Sequence, residues 1–210
     1  MANAKATASF ILDAYPGSLA LKRIDDPAAV ELRSMSLHLT DLKRCREALD
    51  ALSGMRETAG VPVVETLWEG IITRYFKCYG KSVTGVSLIA AVVLDKHNGA
   101  METFMYFKRL RDSQVVPDSA AFAQAFTAVV VNDIGAESLV ADITTVSYGA
   151  TTANDEHLAL MSQLIDVTSA WVLARQKHLQ GILLKRYARY SHAQLLALPD
   201  VQLQPHKNGA

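Results

Sequence analysis

The sequence is short of cysteine, has no excess of either charge and contains no glycine-rich phosphate loop. Two cysteines, Cys45 and Cys78, in 210 residues cannot build a disulfide framework or a cysteine-based zinc site within one chain, and they suit a reducing, cytoplasmic setting. Lys plus Arg balances Asp plus Glu at 21 each, which removes the simplest argument for a nucleic-acid partner, a strongly basic domain that displaces counterions from phosphate. Neither a P-loop, nor a dinucleotide fingerprint, nor a Gly-x-Ser-x-Gly elbow occurs, which argues against those enzyme classes. The six histidines, His38, His97, His157, His178, His192 and His206, stand singly, and no two share a helical face at a spacing of three or four. Glu-x-x-His pairs are missing as well, so the expectation is no metal and no cofactor.

Long hydrophobic runs are also scarce. Phe10 to Leu12 stops at Asp13, far short of a signal-peptide core. The least polar stretch, Val83 to Leu94, ends at Asp95-Lys96 well before the roughly twenty residues needed to cross a bilayer, so it reads as a buried core segment and no membrane partner is expected. Half of the residues are nonetheless hydrophobic and a fifth charged, enough apolar surface for a core and too little charge for a disordered chain. The length suits one domain, placed at 1–203 and followed by a flexible tail at 204–210.

What is present is mostly helical spacing. Asp26-Pro27 has the form of an N-cap followed by proline at the first helical position. Val30 to Leu39 mixes a helical with an alternating pattern and is left open between helix and extended chain. From Thr40, a second capping residue, Leu42, Cys45, Leu49, Leu52 and Met55 recur at three and four and predict an amphipathic helix. Gly60-Val61-Pro62 breaks it. A further helix is predicted from about Val63 to Tyr79, with Val64, Leu67, Trp68, Ile71, Ile72 and Tyr75 on one stripe and Gly80 as its stop. Cys78 falls on that stripe and reads as a small core hydrophobe. Asn98-Gly99 marks a turn, and Met101, Phe104, Met105 and Leu110 outline another helix, which Pro117 forbids from continuing.

Beyond Pro117 the residues turn β-branched. Phe126 to Val131 and Leu139 to Tyr148, separated by turn residues, predict a hairpin over about 126–148. Thr152 or Asn154 then caps a long helix, expected to reach about Tyr190, with Leu158, Met161, Leu164, Ile165, Thr168, Trp171, Val172, Leu179 and Leu183 facing inward. The fold class read from these elements is mainly α: a bundle of about five helices with a small antiparallel β-hairpin inserted before the long C-terminal helix.

Two basic clusters, Lys108-Arg109-Arg111 and Lys185-Arg186-Arg189, fall at helix ends, where the macrodipole stabilises positive charge. Brought together, they would form a cationic patch suited to phosphate or RNA.

The segment Tyr106-Phe107-Lys108-Arg109-Leu110-Arg111-Asp112, preceded by Trp68-Glu69-Gly70-Ile71-Ile72-Thr73-Arg74-Tyr75-Phe76-Lys77-Cys78-Tyr79-Gly80, resembles the HEPN (higher eukaryotes and prokaryotes nucleotide-binding) helical-bundle superfamily over roughly Val63 to Ala125. In that superfamily an Arg, usually followed by a polar residue, precedes a His by four to six residues, and the pair from two protomers forms a metal-independent ribonuclease centre. Arg111 and Asp112 match the start of the motif. Four, five or six intervening residues lead to Val116, Pro117 and Asp118, so the histidine is missing. General acid/base participation is typically worth ~10²–10⁴-fold, and the resemblance therefore implies a scaffold that has lost its catalysis.

Arg33 with His38 and Arg186 with His192 also satisfy the spacing, and about one such match arises by chance in a chain of this composition. The expected function is accordingly a non-catalytic binding or interaction protein, with RNA or a protein as partner, Arg111, Asp112, Lys108 and Arg109 as phosphate-contacting candidates, and a homodimer as its assembly. The alternatives are a metal-independent ribonuclease using Arg186 and His192, and an assembly protein with no nucleic-acid contact.

Overall fold

The architecture was taken from a computed structural model, which describes residues 15, 20–81, 85–115, 123–133, 135, 138–149 and 152–201. Helix α1 spans Pro27–Met55, α2 Val61–Lys77, α3 Ala90–Val93 and α4 Ala100–Val115; strands β1 Ala123–Val131 and β2 Val140–Gly149 follow, then α5 Asp155–Tyr187 and α6 His192–Leu196. The fold is thus mainly helical, with an antiparallel hairpin ahead of the long C-terminal helix.

Capping chemistry sets several of the boundaries. Asp26 Oδ1 accepts the Ala28 N–H at 2.8 Å and opens α1, as expected of an N-cap before proline. No second helix begins at Thr40. The stretch left open at Val30 to Leu39 is helical and α1 runs through it unbroken, because neither glycine nor proline occurs between Pro27 and Gly54 and Thr40 therefore interrupts nothing. Gly60 caps α2 with Pro62 in its first turn, and the helix ends at Lys77, with Cys78 as its C-cap, two residues before the expected glycine. Gly99, at φ 77°, supplies the left-handed turn before α4. Asn154 Oδ1 accepts the His157 N–H at 2.8 Å and so caps α5, which stops at Tyr187. A capping box between Ser191 and Gln194 starts the short α6.

Contacts divide the chain into two units, 1–36 with 174–210 and 37–173. In the first, the opening turns of α1 and the end of α5 are joined by Arg175 and Glu31, whose Nε–Oε1 and Nη2–Oε2 distances are 2.6 and 2.9 Å. Arg186 pairs with Asp26. Lys22 and Asp200 form an ion pair at 2.7 Å across an isolated β-bridge.

The second unit holds the aromatic core. Trp68, Tyr75 and Phe76 of α2 and Phe104 and Phe107 of α4 are buried. Trp68 meets Phe107 edge-on at 5.7 Å, and Phe76 lies 4.9 Å from Phe104, geometries that suit aromatic quadrupoles. Helix α5 contributes Leu158, Met161, Leu164, Ile165 and Val172. Its Thr168 hydroxyl sits with those of Tyr75 and Tyr79 at 3.0 and 2.9 Å, so three buried or half-buried hydroxyls satisfy one another. Trp171, expected inside, is only half-buried. The Val83 to Leu94 stretch is likewise mixed: Leu88, Val93 and Leu94 are buried, while Val86, Ile89 and Val92 face solvent. Among the described residues α5 is the one helix long and apolar enough to cross a membrane by length and composition, with 33% of its most apolar window buried.

Candidate functional site

The site is built where α2, α4 and the start of α5 meet. Because α4 turns every 3.6 residues, Phe104, Phe107 and Leu110 share its buried face, while Met105, Tyr106, Lys108, Arg109 and Asp112 share the other. Arg111 lies at the border. Its guanidinium sits over the Phe76 ring, 4.9 Å from the centroid, and Nε donates to Asp112 Oδ1 at 2.9 Å. The side chain is 28% exposed. A carboxylate beside it and an aromatic face beneath it fix the guanidinium plane and satisfy part of its donor fork. Lys108 and Arg109 are exposed on the same helix.

One imidazole lies against α4. His157, in the first turn of α5, has Nδ1 2.6 Å from the Thr152 carbonyl and Nε2 3.0 Å from the Tyr106 hydroxyl. Since a carbonyl only accepts, Nδ1 donates to Thr152, and Nε2 and the Tyr106 hydroxyl share the second hydrogen bond. Burial, with a further contribution from the Glu156 carboxylate, raises the Tyr106 phenol above its ordinary value of 10.0. The same Thr152 receives the Trp68 indole N–H on its hydroxyl at 2.9 Å, so one threonine positions both a core tryptophan and the surface histidine. His157 packs against Tyr106 and Phe107. No hydrogen bond joins it, or any other described imidazole, to Arg111.

Of the expected site residues, Lys108, Arg109, Arg111 and Asp112 fall together on α4. Val116, Pro117 and Asp118, where the missing histidine would stand, lie outside the described residues, as does the tail at 204–210. Arg186 and His192 belong to the other unit. Arg186 is engaged by Asp26, the residue that caps α1, while His192 is the first residue of α6 and is exposed. No hydrogen bond links the two. The clusters Lys108-Arg109-Arg111 and Lys185-Arg186-Arg189 therefore occupy different units.

The cysteines behave as core. Cys45 and Cys78 are fully buried and free, and desolvation pushes both thiols up to about 12, which leaves them protonated and unreactive at neutral pH. Nearby, the half-exposed Arg74 and the exposed Lys77 face a carboxylate not singled out from the sequence: Asp41, largely buried on α1, pairs with Lys77 at 2.8 Å and Arg74 at 3.6 Å. Among the described residues no group of three or more His, Cys, Asp or Glu is placed to hold a metal ion.

Two features of the site were not anticipated: Phe76 beneath Arg111, and the Tyr106–His157 pair. Phe76 could have been found from its position one residue past Tyr75 on a wide stripe, whereas nothing local links Tyr106 to a residue 51 positions away. Compared with models of known protein families, with curated proteins and with solved structures, the chain matches none.

Proposed function

We propose that this protein is a non-catalytic binding protein on a degenerate HEPN-like scaffold, and that the solvent face of α4 contacts phosphate groups of RNA. The observation that carries this reading is the environment of Arg111. Its guanidinium is held by Asp112 and Phe76, and no described imidazole hydrogen-bonds to it. An anion-stabilising group without a proton-transfer partner can bind a phosphodiester and has no means of activating the 2′-hydroxyl for attack. Lys108, three residues back, offers an exposed cation beside it, and Arg109 offers another further round the exposed side of α4. Tyr106, 36% exposed, adds an aromatic edge further round the exposed side of α4, so that cations and a ring, the groups that single-stranded RNA uses for backbone and base contacts, occur on one helix.

The reading is tested by titrating the full chain with fluorescent single-stranded RNA at several salt concentrations. Affinity is expected to fall as salt rises, and the double variant Lys108→Ala/Arg109→Ala is expected to weaken binding by about tenfold and to flatten the salt dependence, since two phosphate contacts are lost. Binding that neither salt nor the double variant changes would leave α4 without this role. Absence of binding at low salt would instead favour an assembly protein with no nucleic-acid contact.

A further inference from the structure

A groove opens between the turn that precedes α4 and the middle of α5, both of them in the 37–173 unit. The turn is tight: the His97 N–H donates to the Leu94 carbonyl at 3.0 Å and the Ala100 N–H to the His97 carbonyl at 3.1 Å. Gly99, at φ 77°, then sets the direction of α4. A Cβ at Gly99 would meet no described heavy atom within 4 Å, so glycine is needed there for its dihedral and the space beside it is open. On the opposite wall α5 presents Leu160, Leu164 and Val167, at i, i+4 and i+7 on one stripe of the helix. Leu164 is buried and the other two are half-buried, which gives the groove an apolar floor. Its volume of about 540 Å³ is that of a small-molecule site.

The rim is polar and carries charge of one sign. Lys96 and Asn98 line it from the turn and Gln163 from α5, and no described Asp or Glu does. All three are exposed. The ammonium and the two carboxamides bring hydrogen-bond donors from both walls. The first residue of α4, Ala100, also lines the groove, and a helix of 16 residues adds the partial positive charge of its N-terminal end. Glu102, the acid of that first turn, is exposed outside the groove. We propose that the groove binds a small organic phosphate monoester, with its apolar body against Leu160 and Val167 and its phosphate among Lys96, Asn98 and Gln163. Donors from two walls suit a tetrahedral head of three oxygens better than a planar carboxylate, and an apolar floor adds nothing for a bare ion. The site is separate from the RNA reading, because Lys108, Arg109 and Arg111 do not line it.

Titration of the isotope-labelled full chain with phenyl phosphate, followed by amide NMR, tests it. Saturable shifts are expected at the amides of 96–103, with a dissociation constant of about 1 mM or tighter for a ligand of this size. Inorganic phosphate, which lacks the apolar body, and phenylacetate, which lacks the tetrahedral head, are each expected to bind at least about fivefold more weakly. Two variants at exposed positions probe the rim: Lys96→Ala removes the cation, and Gln163→Glu sets a like charge beside the phosphate with almost no change of shape. Each is expected to weaken phenyl phosphate about tenfold with unchanged circular dichroism. The absence of saturable shifts at 96–103 up to about 10 mM ligand, far above the expected constant, overturns the proposal. So does binding that both variants leave unchanged, equal affinity for phenylacetate, or shifts confined to the solvent face of α4 around Lys108.

Discussion

At the scale of single residues, what matters is whether a polar group has a partner and what that partner leaves it free to do. Arg111 illustrates this, because a guanidinium already held by a carboxylate and an aromatic ring presents only the rest of its fork to a ligand. The cysteines illustrate the opposite extreme. With both thiols pushed up to about 12 by burial, neither Cys45 nor Cys78 should react with iodoacetamide at pH 8 in the folded protein, and both should react on unfolding in guanidinium; mass spectrometry before and after denaturation decides between these states. Rapid labelling of the native protein would contradict the burial. The buried hydroxyl cluster gives an energetic counterpart. Thr168→Val removes the oxygen shared by Tyr75 and Tyr79 and is expected to cost about 1–3 kcal/mol in urea unfolding, the range for leaving buried polar groups short of a partner. Phe107→Ala, which opens a cavity against Trp68, is expected to cost about 3–5 kcal/mol.

At the scale of elements, the ends of α1 and α5 rest on ion pairs whose pH dependence follows from the carboxylates. The Ala28 N–H bond and then the Arg186 guanidinium hold Asp26 below its ordinary 3.8, and Arg56 does the same for Asp155. A carboxylate depressed in the folded state contributes stability that is complete above the unfolded value and is lost as pH falls through the folded one. Stability should therefore decline as pH drops below about 3.8, and the Asp26→Asn variant should show a shallower decline in acid denaturation followed by circular dichroism; a variant curve parallel to wild type would remove Asp26 from the account.

These ends were readable in the sequence because capping is local: Asp26-Pro27 and Asn154 announce themselves within three residues. The continuity of α1 was not readable from periodicity. Met35 is buried while Leu37 is 62% exposed, so the stretch that joins the two units shows no single stripe. Helix α6 is too short for a period, although Ser191 and Gln194 spelled its capping box. The hairpin was legible from its β-branched runs, but its exposure was not, since alternation reveals which side chains share a face and says nothing about whether that face is covered. At the site, the cations of α4 could be read as charges. Phe76 could be read as a residue of the α2 stripe, but its place under Arg111 and the contact of Tyr106 with His157 could not, because each depends on how two distant helices are packed.

At the scale of the whole molecule, zero net charge means that any attraction to RNA is local to α4 and must be sensitive to salt. The central claim is that the scaffold binds without cutting. The most direct measurement is incubation of the purified full chain with mixed single-stranded RNA in excess chelator, sampled over hours on a denaturing gel. The account predicts intact RNA from the wild type and from the Arg186→Ala and His192→Ala variants alike. Metal-independent cleavage by the wild type that either substitution abolishes would contradict it and identify Arg186 and His192 as a working catalytic pair.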